Sequence, residues 1–190
     1  LFVHGVIVNA YLWRHQLAGL ADLRRCIAVD LMGHGHTSIA AGQPVSFEAQ
    51  ADMLCEFLDA LGIEQVDLVA NDSGTGVAQI FAARYPDRLR TLTLTNGDVQ
   101  DNWPPINFAG FLDMVKAGGL PQTLQRMLDD KDFFRGPDAM EGAYEHSTSV
   151  SDETIEAYVR PHLASPERTQ DLVRFILAFD NAQTVGIEHR

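Results

Sequence analysis

Short apolar runs alternate with helix-period segments through the first hundred residues. Leu1–Val3 is an apolar run ending at His4-Gly5. Cys26–Asp30 (CIAVD) is a second, ending in an acid and the loop Gly33-His34-Gly35. Ser46 can cap a helix in which Phe47, Leu54, Phe57, Leu58 and Leu61 share one face, and Gly62 ends it. Val66–Ala70 (VDLVA) predicts a third strand. The helix that follows places Val77, Ile80, Phe81 and Tyr85 in one stripe, and Pro86 stops it. Leu92–Thr95 predicts a fourth strand. Strands separated by helices imply right-handed βαβ units, an α/β class and a mostly parallel sheet flanked by helices.

Beyond Asn102-Trp103-Pro104-Pro105 the strand pattern stops. Phe108–Ala117, Pro121–Leu128, Pro137–His146, Ser151–Val159 and Ser165–Phe179 all read as helices. Ser151 and Ser165 suit N-caps, and Pro166 suits a first helical turn. Residues 1–100 therefore read as a sheet domain and 101–190 as a helical one. The chain opens at Leu1, directly in a strand-like run, so a missing N-terminal portion is expected.

Composition narrows the partners. The 190 residues carry 14 Lys and Arg against 26 Asp and Glu, a formal charge of −12. Such a chain repels phosphate backbones and anionic lipid, which argues against a nucleic-acid partner, and solubility is the simpler reading of the charge. No apolar run reaches the roughly 18–20 residues a bilayer span requires. Cys26 and Cys55 lack CxxC spacing and are expected to be buried free thiols, as suits a reducing, cytoplasmic setting. Oligomeric state is not legible.

The segment richest in chemistry is Leu68-Val69-Ala70-Asn71-Asp72-Ser73-Gly74-Thr75-Gly76. A strand enters a tight turn and a helix leaves at once, the geometry of a nucleophile elbow, small-x-nucleophile-x-small. Small residues are needed because the strand and helix backbones pass closely there. Centring the pattern on Asp72 gives Ala70 and Gly74 as the small partners, whereas centring it on Ser73 gives the bulkier Asn71 and Thr75. Sterics favour Asp72. A bare N-cap aspartate is the simpler alternative. His34 and His36 form an H-x-H pair with no evident third ligand, so no metal is expected. Gly74-x-Gly76-x-x-Gln79 lacks the third small residue of a dinucleotide fingerprint, so no cofactor is expected either.

The chain resembles the α/β-hydrolase family over nearly its whole length. His4-Gly5 resembles its oxyanion turn, Tyr11-Leu12-Trp13-Arg14 the segment after it, and Asp30-Leu31-Met32-Gly33-His34-Gly35-His36-Thr37 its D-x-x-G-x-G-x-S loop. Arg84-Tyr85-Pro86-Asp87-Arg88-Leu89 resembles the helix end after the elbow, at the family's spacing from Asp72. The resemblance implies an α/β-hydrolase fold with a helical cap over residues 101–190 and a partial core over 1–100. An Asp at the elbow is similar to the haloalkane dehalogenase, haloacetate dehalogenase and epoxide hydrolase branches. It implies attack by the Asp72 carboxylate on an alkyl carbon, an ester intermediate, and hydrolysis of that ester by a His-activated water. Backbone N–H groups of Val6 and Ser73 would hold the oxyanion.

The resemblance also has departures. Ser73 and Val6 stand where dehalogenases usually carry a halide-gripping Trp and often an Asn. Tyr144 and Tyr158 are candidates for the paired cap tyrosines of epoxide hydrolases, with core packing as the other reading. Trp103 is a candidate pocket residue. Asp98 is a candidate acid partner, two residues beyond Asn96. The family's histidine follows two strands after the cap; His15, His34, His36, His146, His162 and His189 do not match its position. The expectation is a fragment whose sheet is incomplete at both ends, with an exposed, aggregation-prone edge. Two rivals stay open: a serine-type ester hydrolase using Ser73, and a non-catalytic binding protein on the same fold.

Overall fold

A computed structural model describes residues 1–97, 101–102 and 104–187. Four strands, β1 (Phe2–Val3), β2 (Ala28–Val29), β3 (Val66–Asn71) and β4 (Leu89–Thr95), form one parallel sheet in the order β2-β1-β3-β4. Between them run α1 (Arg14–Leu20), α2 (Phe47–Ala60) and α3 (Gly74–Arg84). Then come α4 (Ala109–Lys116), α5 (Leu120–Asp129), α6 (Lys131–Arg135), α7 (Asp152–Val159), α8 (Pro166–Leu177) and α9 (Ala182–Val185).

Local signals explain most boundaries. Ser46 Oγ accepts from Ala49 N at the start of α2, Ser151 from Thr154 N at α7, and Ser165 from Arg168 N at α8. Gly62, at φ +65°, closes α2 with bonds from its own N–H to Asp59 O and from Ile63 N to Leu58 O, the paired bonds of a Schellman end. The α3 helix stops at Arg84, ahead of Pro86.

Several elements differ from the sequence reading. Pro137–His146 is not an α-helix; it holds only a 3-10 turn at Glu141–Ala143, with a second such turn at Ser147–Ser149. The helix lies one step earlier, at α6, where Asp130 caps Asp132 N and Phe133 N and Gly136 ends it. Helix α1 was not anticipated, because it buries none of its residues and so carries no apolar stripe to read. Cys26 and Cys55 are unpaired, as expected, but half-buried rather than buried.

One continuous core joins the two halves. Phe47, Leu54, Leu58, Leu68, Val77, Ile80 and Phe81 from the sheet side pack in the same cluster as Leu124, Phe134, Ile155, Tyr158, Leu172 and Phe175 from the helices. Polar ties reinforce the contact. Arg168 donates to the carbonyls of Gly35, His36 and Thr37, Asn9 Nδ2 to Ala157 O, and Phe47 N–H to Gln183 Oε1. Strand β4 ends the sheet among the described residues. Beyond Leu89 its side chains are exposed, Leu92 and Leu94 by nearly two-fifths (38% and 39%). Among the described residues no helix is long and apolar enough to cross a membrane.

Candidate active site

Because β1 and β3 are parallel neighbours, paired Val3 to Ala70, the turns leaving their carboxyl ends meet at one edge of the sheet. The turn after β3 is the elbow. Asp72 adopts φ +53°, left-handed space that Asp and Asn tolerate better than most side chains. Its backbone is held on both sides: its N–H donates to Thr95 O, and its carbonyl accepts from Thr75 N at 2.9 Å and Thr75 Oγ1 at 2.7 Å. A Cβ at Gly74 would lie 2.4 Å from His4 O, so only glycine fits where α3 crosses the turn after β1.

That neighbouring turn is His4-Gly5-Val6-Ile7. A Cβ at Gly5 would meet Asp72 Oδ1 at 2.3 Å, so glycine is again what lets the two turns touch. Val6 N–H donates to Asp72 Oδ1 at 2.9 Å. Ile7 has φ +67°, which for a β-branched residue costs roughly 1–2 kcal/mol and must be offset by its surroundings. The positive end of α3 adds a favourable field for an anion at Asp72. Ser73 lies at the N-cap of α3, fully buried, and its Oγ has no hydrogen-bond partner among the described residues.

Three histidines lie beneath this edge. His4 accepts from Leu31 N–H at Nε2 (3.0 Å), which leaves Nδ1 as its protonated nitrogen, donating to Gly5 O at 2.7 Å. His162 Nε2 donates to Ile7 O at 2.8 Å. His34 stands edge-on to both rings, with centroids 5.0 and 5.5 Å away, and edge-on to Phe175 at 4.6 Å. Burial holds all three toward the neutral form: His4 is lowered, His34 well lowered, and His162 pushed down to about 4. Among the described residues no histidine hydrogen-bonds the Asp72 carboxylate.

The remaining candidates are distributed as follows. Tyr144 and Tyr158 face each other. Burial comes first and their mutual contact next in raising Tyr144, while Tyr158 also meets Arg14 and stands edge-on to Tyr11 at 6.2 Å. Asp30 is engaged in its own loop, accepting from Ala10 N and His36 N. Asp98, Trp103 and His189 lie outside the described residues. Among the described residues no group of three or more His, Cys, Asp or Glu side chains is placed to hold a metal ion. The role of His162 beside the site was not legible in the sequence, since its partner Ile7 is 155 residues away.

Residues 1–150 match the family model described as alpha/beta hydrolase fold. The chain is 42% identical over 82 residues to a 2-hydroxymuconate semialdehyde hydrolase of Pseudomonas sp. (strain CF600), covering 43% of this chain and 29% of that protein. It is 41% identical over 92 residues to a haloalkane dehalogenase of Mesorhizobium japonicum, covering 47% and 28%. It is 40% identical over 111 residues to epoxide hydrolase 2 of Siraitia grosvenorii, covering 57% and 35%. The matched stretches thus span about a third or less of those relatives' lengths. The crystal structure of an ancestral haloalkane dehalogenase superposes with a TM-score of 0.70 at 27% identity, covering 98% of this chain and 63% of that one.

Proposed function

The chain belongs to the alpha/beta hydrolase fold family, and we propose that it carries the nucleophile and oxyanion turn of a hydrolase acting on small apolar halides or epoxides. The observation that carries this reading is the Asp72 carboxylate at the elbow, 2.9 Å from the Val6 amide, beside a buried serine whose hydroxyl has no partner among the described residues. A carboxylate is ionised at neutral pH and attacks without a base. One Asp72 oxygen bonds to the substrate carbon, and the carbon–halogen bond breaks with its electron pair leaving on the halide. With an epoxide the carbon–oxygen bond breaks instead, and the alkoxide takes a proton, for which Tyr144 and Tyr158 are the candidates. The product of either step is an alkyl ester on Asp72.

Hydrolysis of that ester needs a base-activated water. His4 and His162 beside the site are committed to backbone groups. Asp98 stays the proposed acid partner, Trp103 a proposed pocket residue, and residues 101–190 the proposed cap over a core of 1–100. The Val6 and Ser73 amides would stabilise the tetrahedral oxyanion.

The test is covalent capture. Incubation with a panel of bromoalkanes and epoxides, followed by peptide mass mapping, is expected to give an ester on Asp72. Asp72→Asn is expected to abolish it. Adduct formation by that variant at the same position would refute the nucleophile. No adduct on folded wild-type protein would instead favour a Ser73 ester hydrolase or a binding role.

A further inference from the structure

The Val6 amide meets Asp72 only because an unfavourable backbone turn is held in place on either side of it. Ile7, next along, is a β-branched residue at φ +67°. Two imidazole N–H groups grip the carbonyls that flank Val6: His4 Nδ1 on Gly5 O at 2.7 Å, and His162 Nε2 on Ile7 O at 2.8 Å. The first belongs to the turn itself. The second comes from the helical half of the chain, in the 3-10 turn Arg160–Leu163.

We propose that His162 is a positioning residue, clasping the Ile7 carbonyl so that the Val6 N–H stays aimed at the Asp72 carboxylate. The side chain is built into place for this. It is 1% exposed. Its own carbonyl accepts from Thr169 Oγ1 at 2.6 Å, which ties its turn to α8. The His34 ring packs edge-on against it, and against His4 and Phe175. An apolar ring at position 162 would fill the same slot but leave Ile7 O without its donor, so shape and hydrogen bonding are separable. The helices thereby set the geometry of a group on the sheet's edge that none of them carries.

The catalytic consequence rests on Asp72 being the nucleophile; the clasp does not. In ¹⁵N-labelled protein, His162→Phe is expected to move the Val6 amide resonance upfield, toward a free amide, and to speed its solvent exchange. His162→Gln, which keeps an N–H at the Nε2 position, is expected to restore both. The rate of adduct formation at Asp72 should fall about tenfold or more in His162→Phe and recover in His162→Gln, as expected for a misaimed reacting group. A folded His162→Phe with an unchanged Val6 amide overturns the proposal, as does equal disturbance by both variants, which would mean packing alone. Should wild-type protein form no adduct, the nucleophile reading fails, and the amide measurements still decide the clasp. Should His162→Phe not fold, wild-type exchange decides it. The Val6 amide and the His162 Nε2 proton should then share one opening free energy, and a Val6 amide that exchanges while Nε2–H stays protected overturns the clasp.

Discussion

At Gly74 the crossing of strand, helix and the turn after β1 leaves no room for a methyl group, since a Cβ would sit 2.4 Å from the His4 carbonyl. Gly74→Ala is therefore expected to cost about 1–3 kcal/mol or more through overpacking. It should also push the two turns apart, so that Asp72 labelling slows by more than the stability loss explains. Urea titration paired with adduct kinetics checks this, and a variant as stable and reactive as wild type would contradict it. The backbone at Asp72 makes the companion variant Asp72→Asn clean, because Asn shares the tolerance of Asp for φ near +53°. This level was partly legible in the sequence. The tight crossing at Gly74 was legible in the run of small residues, and the proposal of Asp72 over Ser73 as nucleophile rests on the sizes of Ala70, Asn71, Gly74 and Thr75. The buried clasp at His162 was not, because nothing local to Arg160-Pro161-His162 signals a partner near the N-terminus.

Among the elements, β4 is the least protected. Leu92 and Leu94, two residues apart, share a face left nearly two-fifths exposed, and among the described residues no strand pairs with the outer edge of β4. An exposed flat edge of this kind templates further strands. Replacing both leucines with lysine is expected to slow association markedly at unchanged secondary structure. Light scattering alongside circular dichroism checks it; equal association would place the sticky surface elsewhere. Elements with their own punctuation were readable: Ser46, Ser151 and Ser165 all cap as expected, and Gly62 ends its helix. Elements defined by tertiary contact were not. Strands β1 and β2 are reduced to two paired residues each, shorter than their apolar runs, because pairing and not hydrophobicity sets their length. Helix α6 lacks the length to show a period, and its cap at Asp130 lies inside an acidic run that masks it.

For the molecule as a whole, the histidines beneath the site link folding to pH. Burial lowers His4, His34 and His162 in the folded state, the last to about 4 from an ordinary value of 6.5. Between about 4 and 6.5 the unfolded chain thus binds protons that the folded chain refuses. Stability contributed by His162 is fully present above pH 6.5 and is lost as pH falls toward 4, by about 3 kcal/mol for this group alone. The other two act in the same direction. The urea midpoint is expected to drop substantially between pH 7.5 and 5, before most carboxylates protonate; a flat profile across that window would show that these rings are solvated or already charged when folded. The α/β class and parallel sheet were legible in the alternation of runs, since periodicity reports element type. That one core would join the sheet to helices from the far half was not, since the pattern says which faces are apolar but not which will meet.

The bonds that join the halves also order events in time. Ile7 to His162, Asn9 to Ala157, Phe47 to Gln183 and Gly35 to Arg168 each close a loop of well over a hundred residues. Contacts this remote in sequence form slowly, because the chain must find them before they repay the entropy of closure. The elbow itself is assembled from β3 and α3, adjacent in the chain, and can be complete early. With the clasp proposed above, the amide that faces it acquires its direction only when residue 162 arrives. A chain still emerging from the ribosome thus holds a shaped carboxylate whose facing amide is not clasped until residue 162 has been made and docked.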